Sequence, residues 1–454
     1  MQSLTSKKSI VALVLLSIAS MNANAETIVL DLAQAIERAH NTDPRISEKE
    51  KLVDVARGML EEAQGAESWI FDVNSFMGVA PDVRGGVFED EEGNLKISND
   101  ALDIDGLSPW YNLQLSIVYP FSTLGKAESY SEAAQNNIKV QQGEIEIQKA
   151  NTYIDVVRAY YGYLAAREAI FLIEDANKKV QSAIDLVEVW LEEGKDIKQS
   201  DLYALQTGQA ILNRHKAEAD ALQKIAYAGL KLLTGIGKDT SIELADKRLQ
   251  PVELPSETLL ELQGKALSNR PEMKQVEAGL NARRALLSAK NAEKYPNFYT
   301  GVVGSFAYTP DRPRLQELAI FDPFNHAGAT PVVGVKWDWW AGRQRAQVSQ
   351  AQGEYDALIE KKSFAQIGIP FDVEEKYHHV QAHHKMVGEL TKAARAGRRW
   401  MLASFADFEA GVEEASRVME AFQGYVLAYA DYLQVVNDYN LSVARLRVAT
   451  GEVK

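Results

Sequence analysis

The chain has no cysteine among its 454 residues. That excludes a disulfide framework, a thiolate metal centre, a cysteine nucleophile and a lipid-bearing cysteine behind a leader. Positive charge is also short: 49 Lys and Arg against 63 Asp and Glu leave a formal net charge of −14. A polyanion such as nucleic acid is a poor partner for such a surface. Proline is scarce, 13 in all, so very long stretches run with nothing to break a helix. No apolar run reaches the ~20 residues with which a helix crosses a bilayer. There is no nucleophile elbow and no phosphate-cradling glycine loop. Gly301-Val302-Val303-Gly304 lies in a strand-like stretch with no helix start behind it. Without a site constellation, the chain reads as no enzyme and as needing no cofactor.

What is present begins with an export signal. Lys7 and Lys8 precede the apolar run Ile10 to Ala19, and Ala23-Asn24-Ala25 follows before Glu26, the three parts of a secretory signal peptide over residues 1–25. Losing the two lysines takes the net charge from −14 to −16. An exported, acidic, cysteine-free chain suits a bacterial cell envelope.

The stretch Val332 to Tyr355 organises the rest. Val333, Val335, Trp337 and Trp339 alternate with Gly334, Lys336 and Asp338, the period of a strand with one apolar and one polar face. At Ala341-Gly342 the pattern turns helical. Leu113 to Tyr119 alternates likewise and passes through Gly125 into another helical run; the two glycines lie 342 − 125 = 217 apart. Pro44 and Pro271 each open a helix whose apolar residues fall seven apart (Ile46, Val53, Leu60; Met273, Leu280, Leu287), at an offset of 271 − 44 = 227. Thr234-Gly235 and Thr450-Gly451 pair at 216. Three anchors separated only by loop-sized differences identify an internal duplication. Its copies span 26–235 and 257–454, joined by an irregular connector, 236–256.

In order, Thr27 to Arg38 is an amphipathic lead-in with Asp31 as a candidate N-cap, and Pro44 to about Ser68 is a long helix. A strand follows (Phe71, Val73, Met77, Val79 against Asp72, Asn74, Gly78), then a solvated loop from Pro81 to Pro109 and the return strand from Leu113. From Leu124 to about Trp190 no proline intervenes, which gives a helix roughly 100 Å long at 1.5 Å per residue. Glu193-Gly194-Lys195 turns it back into Ser200 to Leu233. The second copy repeats the plan: a helix to about Lys294, strand Phe298 to Tyr308, a loop to Pro331, strand Val332 to Trp339, a long helix, a turn at Gly411 and a returning helix. In that last helix Val418, Phe422, Tyr425, Tyr429, Tyr432, Val436, Tyr439, Val443 and Leu446 are spaced alternately four and three apart, a coiled-coil pattern. Pro370 interrupts the second long helix where Tyr153 stands in the first, so any kink is asymmetric.

Four amphipathic strands cannot close by themselves, and a bilayer admits only closed barrels. Three chains would supply twelve strands, enough for an aqueous interior lined by Asp72, Asn74, Gln114, Ser116, Lys336 and Asp338. Five of the seven tryptophans (Trp69, Trp110, Trp337, Trp339, Trp340) lie in or beside the strands, where interfacial belts are expected.

The lead-in LDLAQAIERAHNTDP (Leu30 to Pro44), its echo LLELQGKALSNRP (Leu259 to Pro271), the junctions at Gly125 and Gly342 and the ending DYNLSVARLRVATG (Asp438 to Gly451) resemble, in order and spacing, the repeated unit of the TolC family of outer-membrane efflux and secretion channels. The resemblance implies a mainly α fold with a small β part: a trimeric α-barrel of long coiled-coil helices and a twelve-stranded transmembrane β-barrel with four strands per chain. It implies a homotrimer in the outer membrane lipid with a periplasmic helical tunnel. A periplasmic adaptor and an inner-membrane pump or ABC transporter would be its partners, in efflux or type I secretion. The family ring of acidic residues at the tunnel tip falls on Asp201 in the first copy and on Arg417 and Glu420 in the second. Arg417 departs from that pattern, and the resemblance leaves it to pair with one of the two acids.

Two alternatives stay open. A periplasmic coiled-coil adaptor also has long hairpins and an export signal, but would not need amphipathic strands. A heavy-metal efflux component is raised by His378, His379, His383 and His384, since His379 and His383 lie at the i, i+4 spacing that can hold a divalent metal. No carboxylate or cysteine completes a recognised motif. No metal ligand is assigned, and the histidines read as polar positions on a helix.

Overall fold

The computed structural model describes residues 27–81, 85–89, 92–99, 106–195, 197–310, 312, 321–338 and 341–453. The signal peptide, Trp339 and Trp340 lie outside these residues. The chain runs β1 (Thr27–Leu30), α1 (Leu32–Thr42), α2 (Pro44–Gly65), β2 (Ile70–Pro81), β3 (Gly85–Glu89), β4 (Leu95–Asn99), β5 (Leu107–Ser122), α3 (Lys126–Glu192) and α4 (Gln199–Leu233). It continues through β6 (Ser241–Leu244), α5 (Leu259–Asn269), α6 (Pro271–Ala292), β7 (Asn297–Tyr308), β8 (His326–Lys336), α7 (Ala341–Glu409) and α8 (Ala415–Ala449). It is mainly α with a small β part, and it divides into two compact units.

The helical unit comprises the described residues up to Ser47 with Ile147–Arg270 and the chain from Ile369 onward. Its lead-in helices start alike. In α1 the Asp31 carboxylate accepts from Gln34 N at 2.7 Å while Gln34 Oε1 accepts from Asp31 N at 3.2 Å. In α5 Thr258 and Glu261 exchange the same two bonds at 3.4 and 2.8 Å. These reciprocal bonds satisfy backbone donors that the first helical turn leaves free. The returning helices end alike too. Ile236 N donates to Lys231 O and Gly235 N to Leu232 O; Glu452 N donates to Arg447 O and Gly451 N to Val448 O. This double closure needs a left-handed residue after the helix, which is why Gly235 (φ +64°) and Gly451 (φ +71°) stand there.

Of the coiled-coil positions in α8, all but the half-buried Tyr429 and Tyr432 are buried. At one end of the unit α3, α4, α7 and α8 share a core that includes Val187, Leu205, Phe408 and Phe422. The connector is less irregular than its composition indicates. β6 pairs in parallel with β1, Thr27 opposite Ser241 through Leu30 opposite Leu244. Asp246 then accepts from Tyr160 Oη at 2.7 Å, and Asn440 of α8 holds Val252 N and Gln250 O, each at 2.9 Å.

The strand unit, Glu48–Glu146 with Pro271–Gly368, contains an antiparallel sheet in the order β2-β5-β7-β8. Three expectations need correction here. The Pro81 to Pro109 loop contains the hairpin β3–β4, paired from Gly85–Asn99 to Glu89–Leu95. β5 starts at Leu107 and β8 at His326, because the prolines that seemed to bound them fit inside. Pro109 lies beyond the last β7 partner of β5, Pro120 sits at a bulge past the end of β2, and Pro331 is on an edge strand. Each such place tolerates a missing ladder donor. Finally, Gly125 occupies a left-handed turn at φ +84°, whereas Gly342 is already in the first turn of α7.

Candidate functional site

Strand register sorts the sheet into two unlike faces, since directly opposed residues point the same way. One face carries Phe71, Val73 and Met77 of β2, Leu115 and Ile117 of β5, Val302 and Phe306 of β7, and Val333 and Val335 of β8. No charged side chain falls on it among the described strand residues. Its large side chains lie open in the protomer, Phe71 at 69 %, Met77 at 74 % and Val333 at 79 %. The opposite face has Asp72 beside Ser116 and Thr330 in the Val303 row, Asn74 beside Gln114 and Ser305, and Lys336 beside Asn297. A concavity of about 1540 Å³ lies behind that polar face, with Asp72, Ser116, Lys336 and Asp338 among its lining. Lys126 faces it as well. Burial holds its ammonium below the ordinary lysine range against the opposing pull of Glu293 and Asp338.

β2 and β8 are edge strands with an unpaired ladder each. With 12, 16, 12 and 11 residues, β2, β5, β7 and β8 exceed or match the ~9–11 residues a tilted strand needs to cross a bilayer. Aromatic rings gather toward one strand end: Trp69 meets Tyr119 at 5.3 Å and Phe121 meets Phe298 at 6.2 Å. Trp337 donates to Lys294 O there. Trp110 does not join a belt on the apolar face. It opposes Gly78 on the polar face and packs edge-on against Phe76 at 5.0 Å and Phe324 at 5.2 Å. Next to it, Arg312 and Asp322 form a buried ion pair at 2.7 Å, and Arg312 also donates to Pro81 O. Sequence reasoning missed that pair, because its partners lie in a stretch without periodicity.

Within the helical unit, Gly194 and Gly411 take the left-handed turns between α3 and α4 and between α7 and α8. Asp201 lies in the first turn of α4 and accepts from Lys198 N at 3.1 Å. Arg417 and Glu420 are exposed on the first turns of α8. Arg417 forms its ion pair with Glu413 at 3.6 Å, one turn earlier in the chain, and not with Asp201 or Glu420 of its own protomer.

Of the four histidines, His379 and His383 are brought within 6.0 Å, ring to ring. His384 packs instead on Tyr439 at 5.6 Å and His378 on Tyr377 at 5.8 Å. Among the described residues no three His, Asp or Glu side chains converge as a metal shell. A second constellation went unread in the sequence. Arg45 of α2 reaches Asp155 of α3 at 3.0 Å, and Arg270 before α6 reaches Asp372 of α7 at 2.8 Å. The aspartates are 372 − 155 = 217 apart, the offset of the two junction glycines, and applying that offset to Asp155 would have found them.

Comparison with known proteins follows the same lines. The family described as outer membrane efflux protein matches residues 262–452. No curated protein sequence matches the chain. Among solved structures, the CmeC outer membrane channel of Campylobacter jejuni superposes with a TM-score of 0.75 at 12 % identity, over 92 % of this chain and 85 % of that one. The open state of the MtrE outer membrane channel of Neisseria gonorrhoeae gives 0.71 at 16 %, over 92 % and 88 %. The outer membrane protein VceC of Vibrio cholerae gives 0.71 at 15 %, over 92 % and 96 %. The second half of the chain is thus similar to the outer membrane efflux protein family, and the chain as a whole shares the fold of these outer membrane channels.

Proposed function

We propose that this protein is an outer-membrane efflux channel, a passive conduit built from three copies of the chain. The carrying observation is the four-stranded sheet with a charge-free exposed face, a polar opposite face and two unpaired edges. Open ladders and bare Phe, Val and Met surface are unstable in water and in lipid alike. Closing three sheets edge to edge makes twelve strands, satisfies every ladder and turns the apolar face to lipid. The polar face then lines a wet lumen. A periplasmic adaptor would have no use for such a sheet.

In this reading residues 1–25 are removed on export, and 26–235 and 257–454 are tandem copies joined by 236–256. The long helices continue the lumen through the periplasm toward an adaptor and an inner-membrane pump or ABC transporter. Asp201 and Glu420 set a negative field at the tip, which favours cations. Arg417, held by Glu413, opposes that field.

The test is to extract the protein from outer membranes and insert it in planar bilayers. A trimer that conducts, and whose cation selectivity falls in Asp201→Ala with Glu420→Ala, supports both the channel and the gate. Unchanged conductance and selectivity in that variant removes the gate residues. A monodisperse monomer in detergent-free buffer removes the channel.

A further inference from the structure

α7 carries His378, His379, His383 and His384, and only His379 and His383 stand one turn apart on the same helix face. What separates this pair from an accident of spacing is how His383 is held. Its Nδ1 lies 2.8 Å from Ser442 Oγ on α8. That hydroxyl already donates its single proton to the Asp438 carbonyl at 2.7 Å. Ser442 Oγ can therefore only accept from the ring, so Nδ1 carries the proton and the lone pair sits on Nε2. A hydrogen bond at the distal nitrogen that fixes tautomer and orientation is the support metal-ligating histidines receive. His379 is 58 % exposed, with Glu375 no nearer than 3.9 Å, so its ring can turn toward the same point.

We propose that His379 and His383 chelate a late divalent transition metal through two imidazole nitrogens per chain, with water in the remaining positions. Imidazole pairs suit copper, nickel and zinc, and among these copper(II) binds nitrogen ligands most tightly. With no third His, Asp or Glu converging among the described residues, the site is an open one. It exchanges its ion more readily than a closed structural site. A bound ion would tie one turn of α7 at the level where Ser442 joins it to α8.

The experiment titrates copper(II) into the mature full-length protein, purified in detergent without a polyhistidine tag, and follows it by electron paramagnetic resonance. One nitrogen-coordinated equivalent per chain is expected. His379→Ala and His383→Ala each abolish it, while His378→Ala with His384→Ala leaves it intact. Ser442→Ala, which frees the tautomer without removing a ligand, weakens binding by about 10–100-fold. Unchanged trimer mobility on a gel shows that each variant has folded. The proposal is overturned if the unaltered protein shows no such equivalent, if the signal survives in His383→Ala, or if Ser442→Ala binds as tightly as the parent.

Discussion

The junction between α1 and α2 offers the sharpest energetic test. Asp43 is only 5 % exposed, yet its carboxylate accepts from Thr152 Oγ1 at 2.6 Å, from Arg45 N at 2.9 Å and from the Arg45 guanidinium at 2.8 to 3.1 Å. Burial pushes this carboxyl up, but the Arg45 and Thr152 hydrogen bonds together outweigh it and hold it below the ordinary range. Asp43→Ala strips all of these bonds. Thr152, fully buried, loses its acceptor, which costs about 1–3 kcal/mol, and the start of α2 loses its cap, about 1 kcal/mol. Arg45 is nearly half exposed and keeps Asp155, so its share is that of a surface pair, about 0–1 kcal/mol. The sum is about 3 kcal/mol. A chain of this size unfolds with an entropy of about 0.9 kcal/mol/K, at about 2.1 cal/mol/K per residue, so Tm should fall by about 3 °C. Circular dichroism melts of the detergent-solubilised protein at pH 7 measure it. A carboxyl whose pKa is lowered by folding contributes stability that is complete above its unfolded pKa, about 3.9, and is lost as pH falls through the folded value. The gap in Tm between the parent and Asp43→Asn should therefore persist to about pH 4 and close below it. An Asp43→Ala melt indistinguishable from the parent at pH 7, or a gap that stays constant to pH 2, refutes the reasoning.

Leu115→Arg and Gln114→Arg differ by one strand position and by face. The first places a cation on the apolar side, at about 2–4 kcal/mol near mid-bilayer, and should deplete the protein from the outer-membrane fraction, whereas the second should leave its yield unchanged. Phe422→Ala removes a fully buried ring from the four-helix core; a loss of about 3–5 kcal/mol should appear as faster proteolysis in the α7–α8 hairpin. Gly301→Val should abolish trimer recovery, since any Cβ there would meet Ile117 O and Val118 Cα of β5, while Gly328→Ala, in open space, should be silent. Arg417→Glu exchanges a cation for an anion at the tip and should raise cation selectivity in bilayer recordings.

Periodicity made the long helices and the sheet legible, because a seven-residue apolar spacing and a two-residue alternation each persist long enough to be counted. Where the elements are short, it fails. β1 and β6 have four residues each, too few to establish alternation, and they exist because parallel pairing joins segments 214 positions apart. β3 and β4 sit in an acidic, glycine-containing loop whose composition says turn. The strand starts at Leu107 and His326 were hidden by proline, whose missing N–H matters only where a ladder is present on that side. Trp110 carried a belt-like position and a contrary direction. Only the register opposite Gly78 shows that it lies on the polar face.

The paired arginines show how the two halves of the chain, with unlike sequences, each tie a short helix to a long one. In the first half the arginine follows the helix-opening proline, as Pro44-Arg45; in the second it precedes it, as Arg270-Pro271. Each nonetheless reaches the aspartate 217-related on its own long helix, Asp155 or Asp372. An arginine stem is long enough to span the difference of two residues, and its planar fork keeps the bond directional from either side. The position before the proline, freed of the cation in the first half, is filled by Asp43, which caps α2 and ties it to Thr152. Asp43 and Arg45 thus both tie the first junction to α3, whereas at the second the guanidinium, only 15 % exposed, takes Asp372. Losing Asp43 leaves Arg45 on Asp155, but losing Arg270 leaves Asp372, among the described residues, with Lys376 at 3.2 Å. Arg270→Ala should accordingly melt lower than Arg45→Ala, and equal melts would mean that the two junctions are not held by these pairs.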